Sequence, residues 1–294
     1  MTRSRVVLLV AVALLTAGCT TAVAPSPART PDPVPSATAS SAPVTPAATT
    51  PSRPPATRPP ASRPPRTTVP TPPPPTGCSL PPALLGQDVA RIPTTQKVIA
   101  LTFDGGGDDS GTASILATLA DRAQPATFFL TGAYAERFPA SARRIAASHP
   151  VGNHTQNHPT LTRMSDARVV EEVRAGAASI ERATGVDPRP YFRFPFGDRD
   201  ARTIGLVNDE CYVPFRWTVD TLGWKGTSGG MSVQRVTQRV LDGATNGGII
   251  LMHLGANPDD GTTLDADALP GIIQGLRDRG YTLVTLERVL PATP

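Results

Sequence analysis

The chain has 294 residues and a formal charge of +4, and both are unevenly spread. Arg3 and Arg5, with five arginines against one aspartate between residues 25 and 76, leave residues 77–294 at −2. Nucleic-acid binding by that part therefore finds no support. What remains is a weakly acidic segment long enough for one sizeable core. The basic tail is suited to an anionic envelope, or is simply kept soluble by its charges.

Residues 1–5 carry two arginines, and residues 6–15 are an unbroken apolar run. Such a run behind positive charge reads as an export signal, too short for a spanning helix. The run leads into Thr16-Ala17-Gly18-Cys19, which resembles the cleavage box of a bacterial lipoprotein, with Thr16 where Leu is usual. The expectation is an exported chain, either a lipoprotein anchored to the cell membrane through Cys19 or a secreted protein, at the cell wall. Residues 25–76 contain 19 of the 34 prolines and no Phe, Trp, Tyr, Leu or Gly. They cannot bury enough apolar surface to offset the entropy of ordering. The domain scheme is a signal at 1–19, a disordered Pro/Thr/Ser/Arg linker at 20–76, and one domain at 77–294. At about 3.1 Å per residue, roughly 50 linker residues reach on the order of 150 Å. With Cys19 assigned to lipid, Cys78 and Cys211 are left as a pair in an oxidising compartment.

Within the domain the elements alternate. A buried strand is read at 97–103, a helix at 110–123, a strand at 126–130, a helix at 133–147 and a short strand or turn at 149–152. A long amphipathic helix follows at 165–184, then extended chain at 191–194, a helix at 201–208 and a strand at 211–219. A helix at 232–241, a strand at 248–252, a helix at 267–280 and a strand at 281–285 complete the series. Strands alternating with helices imply right-handed βαβ units and a parallel sheet. Closure into a barrel places function at the C-terminal strand ends. Asp104 follows the first strand, His154 the third, Arg193 the fourth, Asp220 the fifth and His253 the sixth, so five chemically able groups converge on one rim.

His154-Thr-Gln-Asn-His158 sets two imidazoles four apart, able to grip one metal ion from a tight turn that Pro159 keeps from becoming a helix. His149, off the rim, reads as structural or surface. Asp104 is able to ligate metal or act as a base. Arg193 can hold a carboxylate ionised, and the Phe194-Pro195-Phe196-Gly197 turn offers backbone N–H groups to an oxyanion. Asp220, between Trp217 and Trp224, can keep His253 protonated as a general acid. Apolar side chains such as Phe196 and Trp224 are suited to stacking on sugar faces.

In this order Thr102-Phe103-Asp104, Gly152-Asn153-His154 to His158-Pro159, Arg193 to Gly197, Asp220 to Trp224 and Ile250 to His253 resemble the five motifs of the polysaccharide deacetylases (carbohydrate esterase family 4, the NodB homology domain) over roughly residues 95–286. The resemblance implies a distorted (β/α) barrel of about seven parallel strands. It implies metal-dependent deacetylation of peptidoglycan or chitin-like sugars, with zinc, or cobalt in its place; the chain itself is expected to be a monomer. It implies Asp104 as base, His154 and His158 as ligands, His253 as acid, and Arg193 and Asp220 in support. An O-acetyl esterase of the xylan type, an exported peptidase, or a glycan-binding module without chemistry are the alternatives. Two departures stand out. Gly105 replaces the ligand of the usual Thr-Phe-Asp-Asp-Gly, which makes Asp108 or water the expected third ligand. Gly223 replaces the second acid of the fourth motif.

Overall fold

The computed structural model describes residues 80–290, within a unit spanning residues 65–294. The expected signal, Cys19, the linker and Cys78 lie outside the described residues. Cys211 is disulfide-bonded.

Strand β1 (Val98–Gly105) is buried along its whole length, as the apolar run at its start requires of a strand covered on both faces. Helix α1 (Thr112–Asp121), β2 (Thr127–Leu130), α2 (Gly132–Arg137), α3 (Pro139–Ala146) and β3 (Val151–Asn153) follow. Then come α4 (Asp166–Thr184), β4 (Tyr191–Phe192), α5 (Ala201–Asp209), β5 (Val213–Pro214) and β6 (Val219–Asp220). The series closes with α6 (Val233–Gly243), β7 (Gly248–His253), α7 (Leu264–Asp278) and β8 (Thr282–Val284).

Every described ladder is parallel, in the order β5-β4-β3-β2-β1-β7-β6, with β8 beside β1. The expected seven-stranded distorted barrel is thus present as an open sheet of seven strands plus an eighth. One edge of β1 pairs with β7 from Ile99 to Asp104. Its other edge is shared, with β8 over Val98–Ala100 and β2 over Thr102–Gly105. Ile99, Leu101 and Phe103 pack in a large cluster with α1, α6 and α7 residues such as Ile115, Val236 and Ile272. Ala100, alternating with them, joins Phe129, Tyr191, Val213, Phe215 and Ile249 on the opposite face.

Two elements differ from their sequence reading. The helix read at 133–147 is two, α2 and α3, broken at Phe138 (φ −125°, ψ 56°). Phe138 precedes Pro139, whose ring disfavours helical backbone in the residue before it. The strand read at 211–219 is also two, β5 and β6, and the segment between them gives carbonyls to a buried arginine instead of to a ladder.

Candidate active site

β1 and β7 run in register so that Asp104 and His253 are direct neighbours at their C-terminal ends. Arg193 follows β4, and its side chain is wholly buried. Its Nη1 donates to Asp104 Oδ1 at 2.6 Å. Nε and Nη2 donate to the Phe215 and Arg216 carbonyls, each at 3.2 Å, and the guanidinium lies 4.1 Å from the Phe129 ring centre. Burial raises the Asp104 pKa, but the charges of Arg193, His154 and His253 outweigh it, so the carboxyl stays below its ordinary range.

His154 follows β3. Its Nδ1 contacts the Arg193 carbonyl at 2.7 Å, which assigns the proton to Nδ1 and leaves Nε2 with a lone pair. That Nε2 is 3.5 Å from Asp104 Oδ2. The expected tight turn carries His158 back beside it, with ring centres 4.7 Å apart. Thr155 (φ 67°) and His158 (φ 58°) both take left-handed backbone, a strain that only surrounding contacts can hold. Those contacts are present: Thr155 Oγ1 accepts the His158 N–H at 3.0 Å, and Asn153 Oδ1 accepts the Thr155 N–H at 2.9 Å. Burial lowers the pKa of both histidines, His158 to about 4, so both imidazoles are neutral at ordinary pH.

Asp104, His154, His158 and His253 line one cleft of about 780 Å³ with Phe196, Trp217, Asp220, Trp224 and the triglycine stretch 105–107, and Arg193 lies behind it. Phe196 and Trp224 are among the few exposed large apolar side chains of the described residues. Phe196 packs edge-on to His158 at 4.4 Å, and Trp224 lies 6.5 Å from His253. One wall is therefore aromatic beside the two close histidines and another beside His253.

A polysaccharide deacetylase family model matches residues 91–212. The chain is 33% identical over 195 residues to a peptidoglycan-N-acetylglucosamine deacetylase of Bacillus cereus, covering 66% of this chain and 68% of that protein. It is 31% identical over 211 residues to a chitooligosaccharide deacetylase of Azorhizobium caulinodans, covering 71% and 94%. The chain belongs to the polysaccharide deacetylase family. Its membership makes it a hydrolase. Among solved structures, a pseudoenzyme of carbohydrate esterase family 4 from Bacillus anthracis superimposes with a TM-score of 0.64 at 26% identity, over 70% of this chain and 69% of that one.

Deacetylases of this family generally depend on a divalent metal. Two neutral imidazoles, one with its second nitrogen tied to a carbonyl, are a donor pair that suits such an ion. The third position is another matter. Beside Gly105 the space is filled: an added Cβ would lie 2.8 Å from Leu130 Cδ2 and 3.0 Å from Leu254 Cδ1. The expectation for Asp108 is corrected. Its Oδ1 accepts the N–H groups of Ser110 and Ala256, and its Oδ2 accepts the Ser110 hydroxyl. The carboxylate is committed to pinning the glycine stretch to the chain after β7. Among the described residues no three His, Cys, Asp or Glu side chains form a metal-holding group.

His253 has a further partner beside the expected one. Asp220 Oδ1 accepts the Leu222 N–H, and the Asp220 charge raises the His253 pKa in the expected direction, but as the smallest of the contributing influences. The direct partner is Asp265, in the first turn of α7, whose Oδ2 accepts the His253 N–H at 2.8 Å and lies 3.5 Å from His253 Nδ1. Asp265 escapes a sequence reading because an acid in a first helical turn looks like a charge placed for the helix dipole.

Proposed function

We propose that this deacetylase removes N-acetyl groups from amino sugars of a cell-wall polysaccharide, peptidoglycan before chitin-like chains. The observation that carries the reading is the buried Arg193–Asp104 pair, opening onto two neutral imidazoles on one side and His253 on the other. His154 and His158 would hold a divalent ion, zinc before cobalt, which when bound supplies Lewis acidity to the acetyl carbonyl and the attacking water.

The protein's own groups do the rest. Arg193 keeps Asp104 ionised, and Asp104 takes a proton as the water oxygen bonds to the acetyl carbon. His253 delivers a proton to the sugar nitrogen as the carbon–nitrogen bond breaks, and acetate and a free amine leave. The Phe196 backbone N–H is offered to the oxyanion, since Pro195 has none and the Gly197 and Asp198 N–H groups close the turn itself. Phe196 and Trp224 hold the sugar faces. The export signal, a lipid on Cys19 and the linker would place the domain at residues 77–294 within reach of the wall.

The test is acetate release from N-acetylated chitooligosaccharide and from peptidoglycan, with and without added zinc. We expect Asp104→Asn to lose at least about 10²-fold in kcat. Full turnover in that variant overturns the mechanism. Tight glycan binding with no acetate release, with or without zinc, favours a binding module, the reading to which Gly105 and the resemblance to a pseudoenzyme lend weight.

A further inference from the structure

Gly223 and Asp265 lie 42 positions apart in the sequence and share one place in space. A Cβ built on Gly223 would stand 2.3 Å from Asp265 Oδ1, 2.6 Å from its Cγ and 3.0 Å from its Oδ2. The carboxylate of Asp265 therefore fills the space into which a side chain at 223 would project. It is no surface acid: Asp265 is 4% exposed, and its Oδ1 takes no hydrogen bond from the described residues. Its Oδ2 faces both the backbone N–H and Nδ1 of His253. We propose that Asp265, reaching in from α7, is the positioning residue that orients and charges His253, doing from a remote element what an acid at 223 would do from beside Trp224.

Three carboxylates face His253: Asp265 from α7, Asp104 from β1 and Asp220 from β6. Asp104 is already neutralised by Arg193, and Asp220 turns one oxygen to its own loop. Asp265 is the one in contact. Its Oδ2 stands 3.5 Å from Nδ1 on the α7 side, an ion-pair contact and not a hydrogen bond, which leaves Nε2 as the nitrogen for the cleft. Burial works against the imidazolium, and the Asp265 contact is the largest influence opposing it, with the net shift upward. The same geometry explains why residue 223 is glycine. Two carboxylates cannot occupy one buried volume, so an acid at 223 and one at 265 are alternatives.

This inference rests on the deacetylase reading for its kinetic consequence only. The chain has four histidines, so the imidazole of His253 can be followed by NMR in the full chain without any turnover. We expect a His253 pKa above 6.5 in the unaltered protein, falling by about one unit or more in Asp265→Asn. The kcat is expected to fall at least tenfold, with KM and bound zinc unchanged. Gly223→Asp alone should be impaired, and Gly223→Asp combined with Asp265→Ala should recover the pKa and the activity of the unaltered protein. A His253 pKa at or below 6.5 in the unaltered protein, or one unmoved in Asp265→Asn, overturns the proposal. Absence of acetate release from the unaltered protein sinks the deacetylase reading instead, and the titration still decides the role of Asp265.

Discussion

Arg193 is the largest wholly buried side chain among the described residues, and taking its charge out of water is tolerable only because each face of the guanidinium is used. One nitrogen meets Asp104, two meet carbonyls of the segment between β5 and β6, and the plane covers Phe129. Arg193→Met would leave the Asp104 carboxylate buried and uncompensated. We expect a loss of about 3–5 kcal/mol, read as a lower urea midpoint, together with loss of acetate release. Arg193→Lys should rescue little, because a single ammonium cannot replace a fork that bridges three acceptors. Asp104, His154, Arg193 and His253 were legible in the sequence because each ends or follows a recognisable strand. Asp108 was misread because spacing alone does not reveal that a carboxylate is already occupied by three loop donors. Asp265 was missed because nothing local distinguishes it from any acid beginning a helix.

Among the elements, α4 bears most directly on the turn that carries His154 and His158. Glu172 holds the Asn157 N–H and amide through both carboxylate oxygens, at 2.9 and 2.8 Å, and its own carbonyl accepts the Gln156 N–H. One turn later Gly176 lets the helix lie flush against the strained turn. A Cβ there would stand 2.6 Å from Asn153 Oδ1 and 2.8 Å from the Thr155 carbonyl oxygen. Gly176→Ala should therefore cost about 1–3 kcal/mol of stability and, on the proposed reading, weaken the binding of zinc by displacing His154 and His158. Thermal melts and equilibrium dialysis read the two effects, and unchanged zinc affinity would show that α4 does not set the turn. The helix itself was readable from its amphipathic period. Its task was not, because a buried Glu facing backbone donors violates the polar-outside pattern on which that reading depends. The region 211–219 failed for a related reason: its apolar composition is that of a strand, but a long-range arginine takes the carbonyls a ladder would use.

For the whole molecule, the sequence placed an acidic, aromatic-bearing domain behind a basic, aromatic-free tail. If the tail is a tether, Cys19→Ala should move the protein from the membrane fraction to the medium. Its activity on soluble chitooligosaccharide should be unaltered and its activity on intact cell wall reduced. Retention of the variant in the membrane fraction would remove the lipid from the account.

The shared edge of β1 has a consequence in time. A chain made from its N-terminus delivers the centre of the sheet first and the neighbours of that centre last. β2 can dock on Thr102–Gly105 early, but the opposite edge waits for Gly248, and Val98–Ala100 waits for Thr282. Until then the middle of the core presents unpaired amides and carbonyls, the template on which chains stick to one another. Completion comes late, when β7 and then β8 pair with β1. A nascent copy stays pliable until nearly its whole length is available, and a copy cut short before residue 282 retains an open seam at its centre.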